Sequence, residues 1–252
     1  MAEKPKSVIR QTDDEARRQA RILLRVARFG ALAVLDPETG FPSCSRVLLG
    51  TDVDGVPVML GSSLALHVRA ILADQRSSLL VGEPGRGDPL AWPRMTVYTR
   101  AEQVVRESES WTRIRARFLR RHPKSALYVD FQDFSFFRLV PTSASLNGGF
   151  GKAFHLVDED LVIKSRAVDA ISRDEESLIE RLNAYSDILS DLRLKGSVTG
   201  KSVAWKIVGL DASGIDFAQK EQLSRIELVQ PVEDREGAEQ LYLNVLKSLA
   251  RN

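Results

Sequence analysis

The sequence contains very little cysteine and no long apolar run. Cys44 is the single cysteine among 252 residues, which excludes an intrachain disulfide and a cysteine-rich zinc site. No apolar segment approaches the roughly 20 residues that a helix needs to cross a bilayer. The first twenty residues, MAEKPKSVIRQTDDEARRQA, also lack the apolar centre of a signal peptide. We therefore expect a cytoplasmic protein with no membrane partner.

A strong excess of either charge is also missing. Lys and Arg number 36 against 34 for Asp and Glu, and the formal charge of +2 gives no reason to expect nucleic acid as a partner. The three histidines share no metal-binding spacing, and the sequence has no G-x-S-x-G, H-E-x-x-H or paired C-x-x-C motif. Hydrolase and zinc-site interpretations therefore have no positive support.

Short apolar runs separated by turn residues dominate the region before residue 106. They are ALAVLD, SRVLLGTDV, VPVMLG, SSLLVG and RMTVYTRAEQVV. Asp54-Gly55 lies between two of these runs and is the strongest hairpin signal in the sequence. Because few helices separate the runs, they favour an antiparallel β-barrel over a doubly wound sheet.

Capping patterns and helical periodicity predict the helices. Thr12 and Glu15 have the capping-box spacing and predict a helix start. The segments SLALHVRAILADQ and SESWTRIRARFLRRH are also helical candidates, and the arginines of the second either bind an anion or form a solvated face. His122 is expected to end that helix before Pro123.

The character of the sequence changes after residue 165. Ser172 and Glu175 form a second capping-box pattern, ahead of a helix with one apolar face for about five turns. Short strands in VAWKIVGLD, GIDF and SRIELVQP and a final helix follow. We therefore predict two domains, residues 1–166 and residues 167–252, of which the second is a small α+β unit.

Two neighbouring segments carry residues suited to an anionic ligand. In SSLALHVRAI, Ser62 or Ser63 stands where a helix N-cap is expected, and a helix N-terminus is a natural seat for phosphate. In SRVLLG, strand alternation places Ser45 and Val47 on one face and Arg46 on the other. Without a ligand, the first segment would be an ordinary capped helix, and Arg46 would only line the rim of the barrel.

The stretch SASLNGGFGKAFHL places three glycines and a lysine around Phe150. It matches neither the P-loop pattern nor the dinucleotide pattern G-x-G-x-x-G. Gly148, Gly149 and Gly151 permit backbone angles that other residues avoid, and they leave no side chain to obstruct a flat ring. From these residues alone, a structural turn and a ligand-facing loop are both open.

Four segments, taken in order, resemble one known family. They are GALAVLDPETGFPSCSRVLLG, SSLALHVRAILADQRSSLLVG, DPLAWPRMTVYTRA and RRHPKSALYVDFQDFSFFRLVPTSASLNGGFGKA. Over roughly residues 16–165 the chain resembles the haem-utilisation branch of the pyridoxamine 5'-phosphate oxidase-like, FMN-binding split-barrel proteins. The resemblance implies an α+β protein, with a six-stranded antiparallel split β-barrel and a smaller C-terminal α+β domain. It also implies a homodimer with cofactor sites along the subunit interface.

The resemblance also implies where cofactors bind. In flavin-binding members, basic and hydroxyl groups of a barrel strand and of the turn into the short helix hold the FMN phosphate. A family lysine in that turn corresponds to His67 here, and a strand arginine and lysine correspond to Ser45 and Gly50. Haem-degrading members bind haem near the GGFG loop, with a C-terminal histidine on the iron. Here LKSLARN has no histidine, and ERLNAYSD keeps Asn183 and Asp187 of a family stretch without its histidines.

The leading expectation is an FMN-binding split-barrel flavoprotein, an oxidoreductase that acts on an unknown small-molecule substrate. Its expected cofactor-binding residues are Ser45, Arg46, Val47, Ser62, Ser63, His67, Arg69, Arg94, Gly149, Phe150 and Gly151. The first alternative is a haem-binding or haem-degrading protein of iron utilisation, with His67, His155, Tyr128 and Met95 as candidate iron ligands. The second alternative is a degenerate barrel that acts as a non-catalytic binding scaffold. No side chain stands out as a general acid or base.

Overall fold

The computed structural model describes residues 9–149, 151–194, 204–234 and 237–250. Within these residues the chain forms an eight-stranded sheet and a three-stranded sheet, with α-helices packed around both. No helix in the described part of the chain is both long and apolar enough to cross a bilayer.

Helix α1 (Asp14–Val26) precedes the barrel. Its N-cap is Asp13, whose carboxylate accepts a hydrogen bond from the Ala16 amide at 2.8 Å. The predicted capping box at Thr12 is wrong, because the Thr12 hydroxyl donates instead to the His155 carbonyl oxygen. That contact ties the start of α1 to a strand far along the sequence.

The eight-stranded sheet contains a closed barrel. Its strands are β1 (Ile9–Arg10), β2 (Phe29–Leu35), β3 (Pro42–Thr51), β4 (Pro57–Ser62), β5 (Arg76–Val81), β6 (Arg94–Gln103), β7 (Phe134–Asn147) and β8 (Ala153–Val157). The order β1-β8-β7-β4-β3-β2-β5-β6, with an additional β6–β7 pairing, closes strands β2 to β7 into a six-stranded antiparallel barrel. Strands β8 and β1 extend the sheet beyond that closure. The predicted α+β split-barrel class is confirmed.

Alternating apolar side chains fill the barrel. In β2, Leu32 and Val34 are buried, whereas Ala31 and Ala33 are partly exposed. Val47 and Leu49 of β3 and Met95 of β6 join them in one buried cluster. Outward-facing residues of the same strands are therefore left to contact helices, ligands or other chains.

Strand β7 is the longest strand, and the pattern of apolar runs does not predict it, because Pro141 interrupts the pattern. Proline cannot donate to a ladder, so inside sheets it occurs at edges and bulges. Here the register with β6 shifts, since Tyr98 is opposite Ser143 whereas Thr99 is opposite Pro141. The extra residue, Thr142, donates its hydroxyl to the Tyr98 carbonyl oxygen.

Short helices pack against the outside of the barrel. They are α2 (Leu66–Ala73), α3 (Glu109–Arg121) and α4 (Asp158–Leu161), with 3-10 helices at Pro89–Ala91 and Pro123–Leu127. Helix α3 begins after Ser108, whose hydroxyl accepts a hydrogen bond from the Trp111 amide, and it ends at His122 as the sequence predicts. Phe118 of α3 packs on Phe136 of β7, with ring centroids 5.4 Å apart.

A second α+β unit follows the barrel. Its elements are α5 (Val168–Asn183), α6 (Ser186–Asp191), β9 (Lys206–Asp211), β10 (Gly214–Gln219), β11 (Gln222–Glu227) and α7 (Ala238–Ala250). The strands form a separate sheet in the order β11-β10-β9, over a buried cluster that includes Trp205 and Tyr242. The division into domains at residues 166 and 167 stays a prediction.

The second predicted capping box is wrong. Helix α5 begins at Val168, so Ser172 and Glu175 both lie inside the helix. Glu175 is buried and accepts hydrogen bonds from the Arg117 guanidinium and the Leu210 amide. The helix expected to run for about five turns is also divided, into α5 and α6.

An ionic layer joins the barrel to the second unit. It consists of the buried residues Arg25, Arg117, Arg121, Glu175, Asp211, Asp216, Arg225 and Glu227. Arg225 contacts Asp211 at 2.9 Å and Asp216 at 2.7 Å. Arg117 of α3 contacts Glu175, and Arg120 donates to the Val208 carbonyl oxygen at 3.0 Å. The arginines of α3 are therefore not a simple solvated face: Arg117 and Arg120 hold the second unit, whereas Arg113 pairs with Asp52 and Arg115 with Asp130.

Candidate functional site

A cavity of about 350 Å³ lies on the outer wall of the barrel, beside the start of helix α2. Strands β3, β4 and β7, helices α2 and α3, and the segment between α3 and β7 all contribute to it. The lining residues are Arg46, Val47, Leu48, Leu60, Gly61, Ser62, His67, Phe118, Tyr128 and Phe134. We call this space the β3–α2 cavity.

Among the described residues that line the cavity, His67 is the only histidine. It lies in the first turn of α2, and its side chain is partly buried. Burial lowers the pKa of His67, because loss of water disfavours the charged imidazolium. Within the described part of the chain, no group hydrogen-bonds to the imidazole. A neutral imidazole with an unshared electron pair can bind a metal ion or accept a hydrogen bond.

Ser62 and Ser63 do not cap helix α2 as predicted. The N-cap is Ala65, and Ser62 is the last residue of β4. The Ser62 hydroxyl donates to the Asp133 carboxylate at 2.6 Å, and the Ser63 amide donates to the Asp133 carbonyl oxygen at 2.8 Å. A carboxylate at this position repels phosphate, so the two serines fit an anion site poorly.

Phe118, Tyr128 and Phe134 form an aromatic wall. The rings of Tyr128 and Phe134 have centroids 5.0 Å apart, and the Tyr128 hydroxyl lies 2.9 Å from the Ser125 hydroxyl. Phe118 also packs directly on Gly50, where an added Cβ would lie 2.9 Å from Phe118 Cδ2. The position that corresponds to a family lysine therefore has no room for a side chain.

Arg46 supplies positive charge at the cavity. Its side chain is exposed on the outer face of β3, with the guanidinium carbon 5.3 Å from the Phe29 ring centroid. Neighbouring Val47 also lines the cavity, whereas Ser45 does not. Arg69 is exposed on α2 and lies outside the lining as well. Three of the predicted basic and hydroxyl residues of this region, Ser45, Ser63 and Arg69, are thus absent from the lining of the cavity.

The glycine loop is a tight turn between β7 and β8. Gly149 and Gly151 have φ values of 111° and 69°, in the left-handed region that favours glycine. The Gly149 amide donates to the Asn147 side-chain oxygen at 3.1 Å, and the Lys152 amide donates to the Gly149 carbonyl oxygen at 3.2 Å. The turn is therefore built by its own contacts. Phe150, predicted to touch a flat ligand, lies outside the described residues.

The predicted site residues fall into two groups along β7. Ser62 pairs with Phe134 at the first residue of this strand, whereas Arg94 pairs with Asn147 at its last. Because a strand rises about 3.3 Å per residue, the ends of β7 lie about 40 Å apart along the strand. Within one copy of the chain, Arg94 and the glycine turn therefore lie too far from His67 to share a site with it.

An apolar face lies beside the cavity on the outside of the barrel. Leu48, Leu80 and Tyr98 point outward from β3, β5 and β6, with 39%, 45% and 45% of their surface exposed. Strand β2 lies between β3 and β5, with Phe29 opposite Leu48 and Ala31 opposite Leu80. Leu48 also lines the cavity, so the cavity and the apolar face are continuous. Exposed patches of this kind mark interaction surfaces.

Two of the four predicted iron-ligand candidates lie away from the cavity. Met95 is fully buried inside the barrel. His155 of β8 is opposite Ser145, in the half of β7 that leads to the glycine turn. His67 and Tyr128 remain, and both line the cavity.

Six residues of this region are not predicted from the sequence as site residues. They are Leu48, Leu60, Gly61, Phe118, Asp133 and Phe134. Asp133 and Phe134 belong to YVDFQDFSFF, a segment dense in aromatic residues with two acidic residues among them. That composition could have indicated a binding site. Phe118 carries no such signal, because its helical spacing is the same as that of a core residue.

Two curated proteins are similar to the chain in sequence. "Non-canonical heme oxygenase HOZ, chloroplastic" of Arabidopsis thaliana is 35% identical over 115 residues, which are 46% of this chain and 34% of that protein. "Heme oxygenase HutZ" of Vibrio cholerae is 29% identical over 134 residues, which are 52% of this chain and 75% of that protein. The match thus spans about a third of the length of the Arabidopsis protein.

Solved structures and a family model extend this similarity. The protein Atu2129 of Agrobacterium tumefaciens, of unknown function, has a TM-score of 0.75 and 29% identity, over 93% of this chain and 95% of that one. A heme binding protein of Mycobacterium smegmatis has a TM-score of 0.55 and 24% identity, over 97% and 100%, and shows the fold alone. The family model described as "CREG, beta-barrel" matches residues 11–162. The chain therefore belongs to the CREG β-barrel family, and its predicted place in the haem-utilisation branch of the split-barrel proteins is confirmed.

Proposed function

We propose that this protein binds haem in the β3–α2 cavity, next to the apolar face. The lining of the cavity carries this proposal, because it combines the His67 imidazole, the aromatic wall and the Arg46 guanidinium. These groups match the three needs of haem: an iron ligand, apolar contacts for the ring and positive charge for its carboxylates. The similarity to two proteins named as heme oxygenases supports the same ligand.

The size of the cavity supports a site shared with the apolar face. A volume of about 350 Å³ is near the lower end for ligand pockets and is smaller than haem requires. Part of the ring must then lie outside the cavity, where Leu48 continues into the apolar face. We propose that a second copy of the chain covers this face and makes the protein a homodimer. Replacing Leu80 and Tyr98 together with aspartate should then give a monomer in sedimentation experiments.

The same residues fit FMN less well. The position matched to a flavin-family lysine is Gly50, and Phe118 covers it. Ser62 donates to the Asp133 carboxylate, which would repel a phosphate. Arg46 is then the one cation among the described lining residues, which is little for a dianionic phosphate. FMN is therefore the alternative ligand against which haem binding is compared.

When haem is bound, its iron supplies the redox chemistry. The chain supplies position, shielding and charge. Phe118, Tyr128 and Phe134 would exclude water from the face of the ring, and Arg46 would pair with a haem carboxylate. Ser62 is held by Asp133 and keeps the turn before α2 in place.

Parallel titrations of the purified protein with haem and with FMN test this proposal. We expect haem to give a saturable Soret band and to raise the melting temperature, because a ligand that binds the native state stabilises it. FMN should change neither the flavin spectrum nor the melting temperature. Saturation by FMN without a haem-dependent band would instead favour the flavoprotein. No response to either ligand would favour the non-catalytic scaffold. Loss of the Soret band on adding a reductant in air, measured with catalase present, tests ring opening separately.

A further inference from the structure

We infer that the imidazole of His67 is the protein ligand of the haem iron. The inference rests on the haem binding proposed above and gives one residue of the cavity a specific role in it. It follows from where the fold places the three histidines, Tyr128, Met95 and Cys44, and from the contacts that each of these side chains already makes.

The three histidines of the sequence have different surroundings. His67 lines the β3–α2 cavity and has no hydrogen-bond partner within the described residues. His122 is buried at the end of α3, and its Nε2 lies 2.8 Å from the Leu49 carbonyl oxygen. His155 belongs to β8 and is opposite Ser145, in the half of β7 away from the cavity. One histidine alone is therefore both open to the cavity and uncommitted.

Other donor atoms are less suited than His67. The Tyr128 hydroxyl already contacts the Ser125 hydroxyl at 2.9 Å, and as an iron ligand it would have to lose its proton. Met95 is enclosed in the barrel core. Cys44 is exposed on β3 but does not line the cavity. A neutral imidazole needs neither deprotonation nor a change of side-chain surroundings.

The fold also holds His67 in one place. The next residue, Val68, is buried and packs close to Gly61, where an added Cβ would lie 2.6 Å from Val68 Cγ2. The same Cβ would lie 3.7 Å from His67 Nε2, so the glycine lets α2 approach strand β4 closely. Because α2 cannot shift outward without losing this packing, the imidazole is fixed at the edge of the cavity.

The experiment compares the ferric haem complexes of the full-length wild type, His67→Ala and the matched control His155→Ala. The readouts are the Soret position, the electron paramagnetic resonance spectrum and the haem dissociation constant. We expect His67→Ala to change both spectra and to weaken binding by about tenfold or more, since even loss of an outer-shell group costs about that much metal affinity. Free imidazole should restore the wild-type spectra in His67→Ala, and His155→Ala should retain them throughout.

Further variants keep the test decisive. Should His67→Ala fail to fold, His67→Met replaces nitrogen by sulfur and should still change the spectra. Wild-type spectra in either His67 variant would overturn the assignment while leaving haem binding intact. Altered spectra in Tyr128→Phe, with His67→Ala unaffected, would assign the iron to a tyrosinate and also overturn it. A wild-type protein without any haem-dependent band would contradict the proposed function itself.

Discussion

The ionic layer and the β3–α2 cavity both contain cationic or ionisable side chains, but in opposite situations. In the ionic layer, Arg117 of helix α3 pairs with Glu175 of the second unit, and Arg225 lies within hydrogen-bond distance of Asp211 and Asp216. In the cavity, Arg46 and His67 have no such partner within the described residues. Side chains that already contact buried carboxylates hold the two units together, whereas unpartnered ones at a cavity are available to a ligand. The following predictions test this difference.

Replacing Arg225 with methionine should have the largest effect. The substitution leaves Asp211 and Asp216 buried without their main partner, which costs about 3–5 kcal/mol of the free energy of unfolding. Urea denaturation measures this loss. The control is Arg181→Met, which removes an exposed pair with Glu239 and should cost less than about 1 kcal/mol. Equal losses in the two variants would contradict a structural role for the ionic layer.

Stability should depend on pH through His122. Burial lowers its pKa from 6.5 to about 4, although the hydrogen bond to the Leu49 carbonyl oxygen opposes that shift. Below pH 6.5 the unfolded chain therefore binds the proton more readily than the native protein. The free energy of unfolding should fall between about pH 6.5 and pH 4, by up to about 3 kcal/mol.

Denaturation of two variants at several pH values isolates this contribution. His122→Gln should lose part of the decline seen in the wild type below pH 6.5, since glutamine does not titrate. His155→Gln should keep the whole decline, because His155 is exposed. Identical pH profiles for the wild type and His122→Gln would show that His122 is not the source.

Gly50→Ala probes the wall of the cavity and should have an intermediate effect. Its new Cβ would lie 2.9 Å from Phe118 Cδ2, so the ring must shift. Such overpacking costs about 1–3 kcal/mol of the free energy of unfolding. Phe118→Leu in the same chain should remove part of that cost, which a double-mutant cycle measures. Additive losses would show that the two positions are not in contact.

Arg46→Gln should have the smallest effect, confined to binding. Arg46 is exposed, so stability should change by less than about 0.5 kcal/mol. Haem affinity should fall about fivefold, which corresponds to about 1 kcal/mol for an exposed ion pair. Arg94→Gln is the control and should leave the affinity unchanged, because Arg94 lies at the far end of β7. An equal loss of haem affinity in Arg94→Gln would contradict this and would indicate that Arg94 and the glycine turn of a second copy of the chain lie at the site.

The barrel is largely predictable from sequence because its strands alternate and its turns carry strong local signals, such as Asp54-Gly55. Strand β7 is not, since Pro141 is tolerated only through a bulge that depends on pairing with β6. The two capping boxes fail for a similar reason. Thr12 and Glu175 are bound by groups 143 and 35 residues away, and no local pattern reveals those groups.

The candidate site is predictable in part. Strand alternation correctly places Arg46 outward, and helical spacing correctly places His67 at the start of α2. The predicted N-cap role of Ser62 fails because Asp133, 71 residues away, binds its hydroxyl. Phe118 is missed because its contact with Gly50 joins a helix and a strand that are distant in sequence.

Arg117 and Phe118 are consecutive residues of α3, and they serve different neighbours. Arg117 contacts Glu175 of the second unit, whereas Phe118 covers Gly50 in the wall of the cavity. The position of helix α3 thus affects two equilibria: the docking of the C-terminal unit on the barrel and the binding of a ligand in the cavity. By thermodynamic reciprocity, a ligand that favours the docked position of α3 must also tighten the docking of the C-terminal unit. A chain cut before residue 167 should then bind the proposed ligand more weakly, although it keeps every residue that lines the cavity.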